Sequence, residues 1–294
     1  METAAGTDPG RIDRRVGYVD RRHFLQSCLM GGALLGAASA SRAASLQLAK
    51  LDTADPVRDY LTKIRNYNHH FADDVVLTGP AYRLLLSTTK RLRRLQSTVG
   101  HANFSLISFD YALRFARNYS RVGRFTPEEI AFLEEIFYTD ASKYGFYGEK
   151  VSTRLTERIA RKDTVKIPRT GQYLFRGDSE RLYHKIRKDI GDSITLTSGV
   201  RGVVKQMYLF LNKAVASKGN LSMASRSLAP PGHSFHGIGD FDVGKKGFGY
   251  RNFTEDFAET AEFHRLEDLG YISIRYHPVN PFGVRFEPWH IKVV

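Results

Sequence analysis

The sequence holds one cysteine, Cys28, among its 294 residues. A disulfide framework is thereby excluded, and any metal must be held by His, Asp or Glu. No apolar run reaches the roughly 18–20 residues needed to span a bilayer. Internal repeats and low-complexity linkers are absent, as are zinc-finger and RNP-type motifs. Acidic residues are outnumbered, 31 against 44 basic, for a net charge of +13. Such an excess suits a polyanionic partner: nucleic acid, anionic lipid or an acidic wall polymer. What remains is ordinary for a folded soluble protein, with 42% hydrophobic and 26% charged residues. The length suits one large domain or two modest ones.

The first 43 residues read differently from the rest. Arg21-Arg22 is followed by His23-Phe24-Leu25, a weakly apolar stretch from Ser27 to Ala40, and Ser41-Arg42-Ala43. A cationic pair, a short apolar segment and small side chains, in that order, have the layout of a twin-arginine signal peptide. Cleavage is expected after Ala43, with Ala40 as the alternative. Cys28 lies inside this segment, and the apolar run follows it, so a lipoprotein box is rejected. The expected location is the periplasm, without stable membrane insertion after cleavage. That makes nucleic acid an unexpected partner, and the remaining chain still carries an excess of positive charge. A monomer is expected.

Residues 44–165 form a mainly helical region. Pro80 to Leu95 carries apolar residues at helical spacing between basic ones, and Lys90, Arg91, Arg93 and Arg94 read as a solvated face. Thr126-Pro127-Glu128-Glu129 combines a hydroxyl cap, a first-turn proline and a glutamate three residues after the cap, which predicts a helix start. This region offers no convergent cluster of catalytic residue types. Packing against the rest of the chain is its simplest role; wall binding or a lid is the sharper one.

After Lys166-Ile167-Pro168 short β-rich runs alternate with helices. Strands are predicted at 173–175, 194–197, 271–276, 284–287 and 291–294, with helices over 179–189, 202–216 and 252–270. The fold class is therefore α+β: residues 166–294 form a small antiparallel sheet with flanking helices.

Two segments concentrate chemistry. One runs from Pro230 through His233-Ser234-Phe235-His236 to Asp240-Phe241-Asp242-Val243-Gly244. The other is Phe286-Glu287-Pro288-Trp289-His290-Ile291, with the only tryptophan of the chain. A catalytic zinc site needs about three N/O ligands, an open position and a nearby carboxylate. His236, Asp242 and His290 can meet the first need and Glu287 the last. His233, His264, His277 and the pair His69-His70 read as loop or surface groups.

Ser-x-His-x-x-Gly followed by Asp-Val-Gly, and then Glu-Pro-Trp-His, resembles the D-alanyl-D-alanine carboxypeptidase family of zinc peptidases. That family includes vancomycin-resistance D,D-carboxypeptidases and shares the lysostaphin- and hedgehog-type zinc fold. Ser198-Gly199-Val200-Arg201, then Gln206, is similar to a third segment of it, and the resemblance spans roughly residues 170–294. It implies that His236, Asp242 and His290 bind Zn2+. It implies that Glu287 accepts a proton from the attacking water and returns it to the leaving amine. Arg201 would stabilise the scissile carbonyl oxygen or grip the substrate carboxylate, with Ser234 and Gln206 adding hydrogen bonds. The implied activity is a D,D-carboxypeptidase that removes terminal D-alanine from peptidoglycan stem peptides. An L,D-carboxypeptidase, a cross-link endopeptidase and a non-catalytic wall-binding module are the alternatives. The chain departs from the family in three places, one of them Phe241, where a small residue is usual. The interval from His236 to Asp242 is one residue short, so Asp240 competes as ligand, although Val243-Gly244 favours Asp242. Val200 replaces an aromatic residue beside the arginine.

Overall fold

The computed structural model describes residues 56–294 apart from 271–272. The predicted signal segment 1–43 lies outside the described residues. The N-terminal elements are helical: α1 (Pro56–Arg65), α2 (Gly79–Val99), α3 (His101–Phe104), α4 (Phe109–Asn118) and α5 (Pro127–Tyr138). In α2 the buried residues Leu85, Thr88, Thr89, Leu92, Leu95 and Gln96 recur every three or four positions and so share one face. At the start of α5 the Thr126 hydroxyl accepts from Glu129 N, and the Glu129 carboxylate accepts from Thr126 N. That reciprocal cap is the one the sequence predicts. Glu129 also receives Arg91 Nε at 2.6 Å, which ties α5 to α2 through a buried ion pair.

The strands and helices that follow are β1 (Thr164–Ile167), β2 (Gln172–Phe175), α6 (Asp178–Ile190), β3 (Ile194–Ser198), α7 (Val203–Ala216) and α8 (Leu221–Ser227). They continue with β4 (Phe241–Lys245), α9 (Ala261–Asp268) and β5 (His290–Ile291). β1 and β2 form an antiparallel hairpin. β3, β4 and β5 form an antiparallel sheet with β4 in the middle. The fold is α+β, as the alternation predicts. No helix among the described residues is long and apolar enough to cross a membrane.

Two cores result. Leu85, Leu92 and Leu95 of α2, Phe132 and Phe137 of α5, and Val204, Phe210 and Leu211 of α7 belong to one apolar cluster. The helical region therefore packs against the rest of the chain by covering one face of α7. The second cluster joins Ile186, Leu196, Phe241, Val243, Leu266, Trp289 and Ile291. Burying each such side chain stabilises the fold by about 1.5–3 kcal/mol.

The C-terminal stretch departs from the expected strands. Of residues 273–276 only Ile274 pairs, through a bridge to Ile291, and residues 284–287 join no ladder. Their amides bond elsewhere: Arg285 N donates to Arg226 O and Glu287 N to Tyr276 O. The helix expected over 252–270 is broken into 3-10 turns at Gly249–Phe253 and Glu255–Glu259, followed by α9. Thr254 and Thr260 each accept a backbone N–H through their hydroxyls and so start new turns.

Candidate metal centre and active-site cleft

Asp242 lies at the centre of the sheet, facing Ser198 of β3 on one side and His290 of β5 on the other. Direct cross-strand partners have Cβ atoms about 4.5–5.5 Å apart, so strand register alone brings Asp242 and His290 together. His236 arrives from the 3-10 turn Phe235–Gly237 that precedes β4. Its Nε2 is 3.1 Å from Asp242 Oδ1, and His290 Nδ1 is 3.2 Å from the same oxygen. All three side chains are buried.

The outer ring nitrogens are held from behind. His236 Nδ1 faces Gly199 O at 2.8 Å, and His290 Nε2 faces Asp240 Oδ2 at 3.0 Å. Those partners fix each ring with its other nitrogen turned inward, which is how metal-ligating histidines are oriented. Asp240 is itself held by Arg275 Nε at 2.7 Å and by Val293 N at 2.8 Å. Asp242 faces the two imidazoles, and Asp240 supports one of them from outside.

The cluster has the chemistry of a metal site. His236 Nε2 and Asp242 Oδ1 are buried and make no hydrogen bond among the described residues. One ligand-type atom from each of His236, Asp242 and His290 falls within 4.8 Å of the others. Two imidazole nitrogens and a carboxylate oxygen at this spacing fit around a single zinc ion at about 2.0–2.2 Å. No cysteine is needed.

Each residue of the Ser198–Arg201 segment has a task in this geometry. Ser198 Oγ accepts from Arg201 Nε at 2.9 Å, and Arg201 Nη2 reaches Asp242 Oδ2 at 2.5 Å. Gly199 is required by crowding: a Cβ there would lie 1.9 Å from Tyr173 O. That close approach lets Val200 N donate to Tyr173 O at 2.7 Å while the Gly199 carbonyl holds His236.

Glu287 is buried, with Oε2 3.8 Å from His290 Nδ1, and it lines a cleft of about 380 Å³ with Asp242 and Arg201. The turn between it and His290 is closed by a bond from His290 N to Glu287 O at 3.1 Å. Burial pushes the Glu287 carboxyl up to about 7. Burial also disfavours a charged Asp242, but His236 and Arg201 outweigh it and hold that carboxyl far below its usual range. His236 is pushed down to about 4 by burial and then by Arg201. For His290 burial opposes the charge, yet Asp240 and Asp242 raise it to about 9.

Two residues implied by the sequence resemblance stand apart from the cleft wall. Gln206 is buried on α7 and donates from Nε2 to Ala229 O at 2.5 Å. Ser234 is buried at the start of the turn that carries His236, without a side-chain capping bond. His233 Nδ1 sits 3.1 and 3.0 Å from the carbonyls of Gly148 and Glu149 and anchors a loop. The cleft also shows residues that sequence reasoning missed: Lys205, Lys213 and Arg285. The four-residue spacing of Lys205, Leu209 and Lys213 on a helix was the available signal for the first two.

Residues 177–294 match the family model of VanY, a D-alanyl-D-alanine carboxypeptidase. Among solved structures, one match is a vancomycin resistance D,D-pentapeptidase VanY mutant from a VanB-type resistance cassette, in complex with Zn(II). It is 21% identical, with a TM-score of 0.37, over 49% of this chain and 86% of that one. None of the curated proteins matches. The family match agrees with the resemblance carried by the three sequence segments, and it supports a peptidoglycan peptidase.

Proposed function

We propose that the chain is a zinc-dependent D,D-carboxypeptidase that removes the terminal D-alanine from peptidoglycan stem peptides. The observation that carries this reading is the buried cluster of His236, Asp242 and His290, with unbonded ligand atoms, beside the buried carboxylate of Glu287. His236, Asp242 and His290 would hold zinc. When bound, the ion supplies a Lewis acid that polarises a carbonyl and acidifies water.

The chain's own groups account for the rest. Glu287 takes a proton from the attacking water at its carboxylate and returns it to the departing amine. Burial raises this carboxyl above its ordinary range, which favours its taking the proton from water. Arg201, held by Ser198 and Asp242, turns a guanidinium toward the same cleft. Its fork suits a substrate carboxylate or the developing charge on the scissile oxygen. Asp240 and the Gly199 carbonyl keep the two imidazoles in orientation.

The reading includes twin-arginine export of a periplasmic monomer, resting on Arg21-Arg22 and the apolar stretch that follows. A fusion of residues 1–43 to a reporter should reach the periplasm, and replacing both arginines by lysine should stop it. The activity is tested by mass spectrometry of peptidoglycan fragments after incubation with the zinc-loaded full chain. Loss of one C-terminal alanine is expected. Cleavage at another bond would replace the reading with an L,D-carboxypeptidase or an endopeptidase. Intact fragments throughout would leave a wall-binding module.

A further inference from the structure

The cleft wall is uneven in charge. Its lining carboxylates are Asp242 and Glu287, both at the proposed chemistry, whereas Arg201, Lys205, Lys213 and Arg285 all face the same space. Arg201 is paired with Asp242. The other three have neutral partners. Lys205 Nζ donates to Gln96 Oε1 at 2.7 Å, and Lys213 Nζ to Asn68 Oδ1 at 3.2 Å. Arg285 donates to the Tyr67 hydroxyl at 3.1 Å and to Phe253 O at 2.9 Å. Its guanidinium lies against the rings of Tyr67 and Trp289, and its Nε is buried without a hydrogen bond among the described residues.

None of the three forms an ion pair among the described residues, although Arg285 also acts on Glu287, and an incoming anion would neutralise the charge that is left. Burial pushes the Lys205 amine down to about 8, with Arg201 adding to the effect. Lys213 is also lowered, first by burial and then by Arg285. Arg201 therefore neighbours Lys205 and Arg285 neighbours Lys213, with Glu287 near both arginines.

Helix geometry sets the distance between the two lysines. Lys205, Leu209 and Lys213 lie four residues apart on one face of α7, and all three line the cleft. Eight residues of helix rise about 12 Å. An extended peptide advances about 3.3 Å per residue, so 12 Å is three to four residues. Two lysines so separated, each beside an arginine, fit two discrete charges on a short peptide better than the continuous track a polyanion would need.

We infer that Lys213 and Arg285 form a second carboxylate subsite, which selects peptides with an acidic residue three or four positions before the C-terminal carboxylate. The inference rests on the peptidase reading above and names its substrate more closely: an acidic peptide with two carboxylates about 12 Å apart.

Two pentapeptides ending in D-Ala-D-Ala test it. They differ only at a γ-linked glutamate in the second position, with a free α-carboxylate in one and a carboxamide in the other. D-Alanine release by the zinc-loaded full chain should show a KM about tenfold higher for the carboxamide, with kcat within about twofold, because the lost contact is to a part of the substrate that does not react. Calorimetric Kd values on the Glu287→Gln protein should differ by the same factor. Lys213→Gln should bring both ratios close to one, and Lys213→Arg should restore them. Equal KM and Kd for the two peptides in the unmutated cleft would overturn the subsite, as would a Lys213→Gln protein that still discriminates fully. If neither peptide is cut, the peptidase reading fails, and the calorimetric ratio still decides the subsite.

Discussion

The helical layer and the sheet each bury a carboxylate against a guanidinium, and the two pairs are completed differently. Glu129 accepts from Arg91 at 2.6 Å and from Thr126 N, so it is enclosed by donors. Asp242 gives one oxygen to Arg201 and points the other at two imidazoles without a hydrogen bond. The first pair closes a joint between two helices. The second leaves capacity unspent. Incomplete bonding at a buried carboxylate is costly in an apolar core and is tolerated where something is to be bound. The contrast teaches that burial and charge pairing alone do not distinguish a strut from a site; an unfilled carboxylate valence facing two imidazoles does.

The contrast breaks most completely if the ligands are removed. His236→Ala or His290→Ala should reduce zinc from about one ion per chain to near none and abolish D-alanine release, read by elemental analysis and product assay. Full zinc in both variants would contradict the ligand set. Comparing Asp242→Ala with Asp240→Ala sharpens it: the first should lose the metal outright, the second should weaken binding about 10–100-fold by freeing the His290 ring.

Removing only the proton carrier comes next. Glu287→Gln keeps the shape and should keep the zinc, while D-alanine release falls at least about a hundredfold. Near-normal hydrolysis would place the base elsewhere.

Breaking the strut should move stability and leave the metal alone. Arg91→Ala strands a buried carboxylate and should cost about 3 kcal/mol in denaturant unfolding, with unchanged zinc content. A loss of zinc in that variant would merge the two regions that the comparison separates.

The pH dependence of metal binding is a further test. His290 binds metal only as neutral imidazole, and Asp240 and Asp242 hold its proton up to about 9. Below that value zinc must displace a proton, so apparent affinity should rise with pH, by up to about tenfold per unit, and level off near 9. Competition with a metal-chelating dye between pH 6 and 10 checks the slope. An affinity flat across that range would show that His290 is already neutral.

Local chemistry made much of this molecule legible in the sequence. The Thr126–Glu129 cap, the apolar stripe of α2, the helices α6 and α7 and the strands β2 and β3 follow from side-chain period and turn residues within one window. The meeting of His236, Asp242 and His290 was legible because the segments that carry them resemble, in residue type and order, those of a known family. The stretch after 270 was not. Its alternation reads as strands, but the amides of Arg285 and Glu287 find Arg226 O and Tyr276 O, and no local pattern carries that pairing. Lys205 and Lys213 were hidden for another reason. A lysine on a helix normally faces water, and only the tertiary fold turns this face of α7 into a cleft wall. Gln206, on the adjacent position, is turned into the protein and bonds Ala229 O.

α7 has Val204, Phe210 and Leu211 in the helical core, while Lys205, Leu209 and Lys213 face the cleft. With the proposed subsite on this helix, selectivity should be adjustable by remote mutation. A close-packed core transmits displacement, so shrinking Leu92 or Phe210 to alanine lets α7 settle toward α2 and carries the lysines with it. Changes of substrate preference can thus accumulate in the helical layer while His236, Asp242, Glu287 and His290 stay fixed. Ranking such core variants by their KM ratio for free and amidated peptides would reveal which packing contacts set that preference.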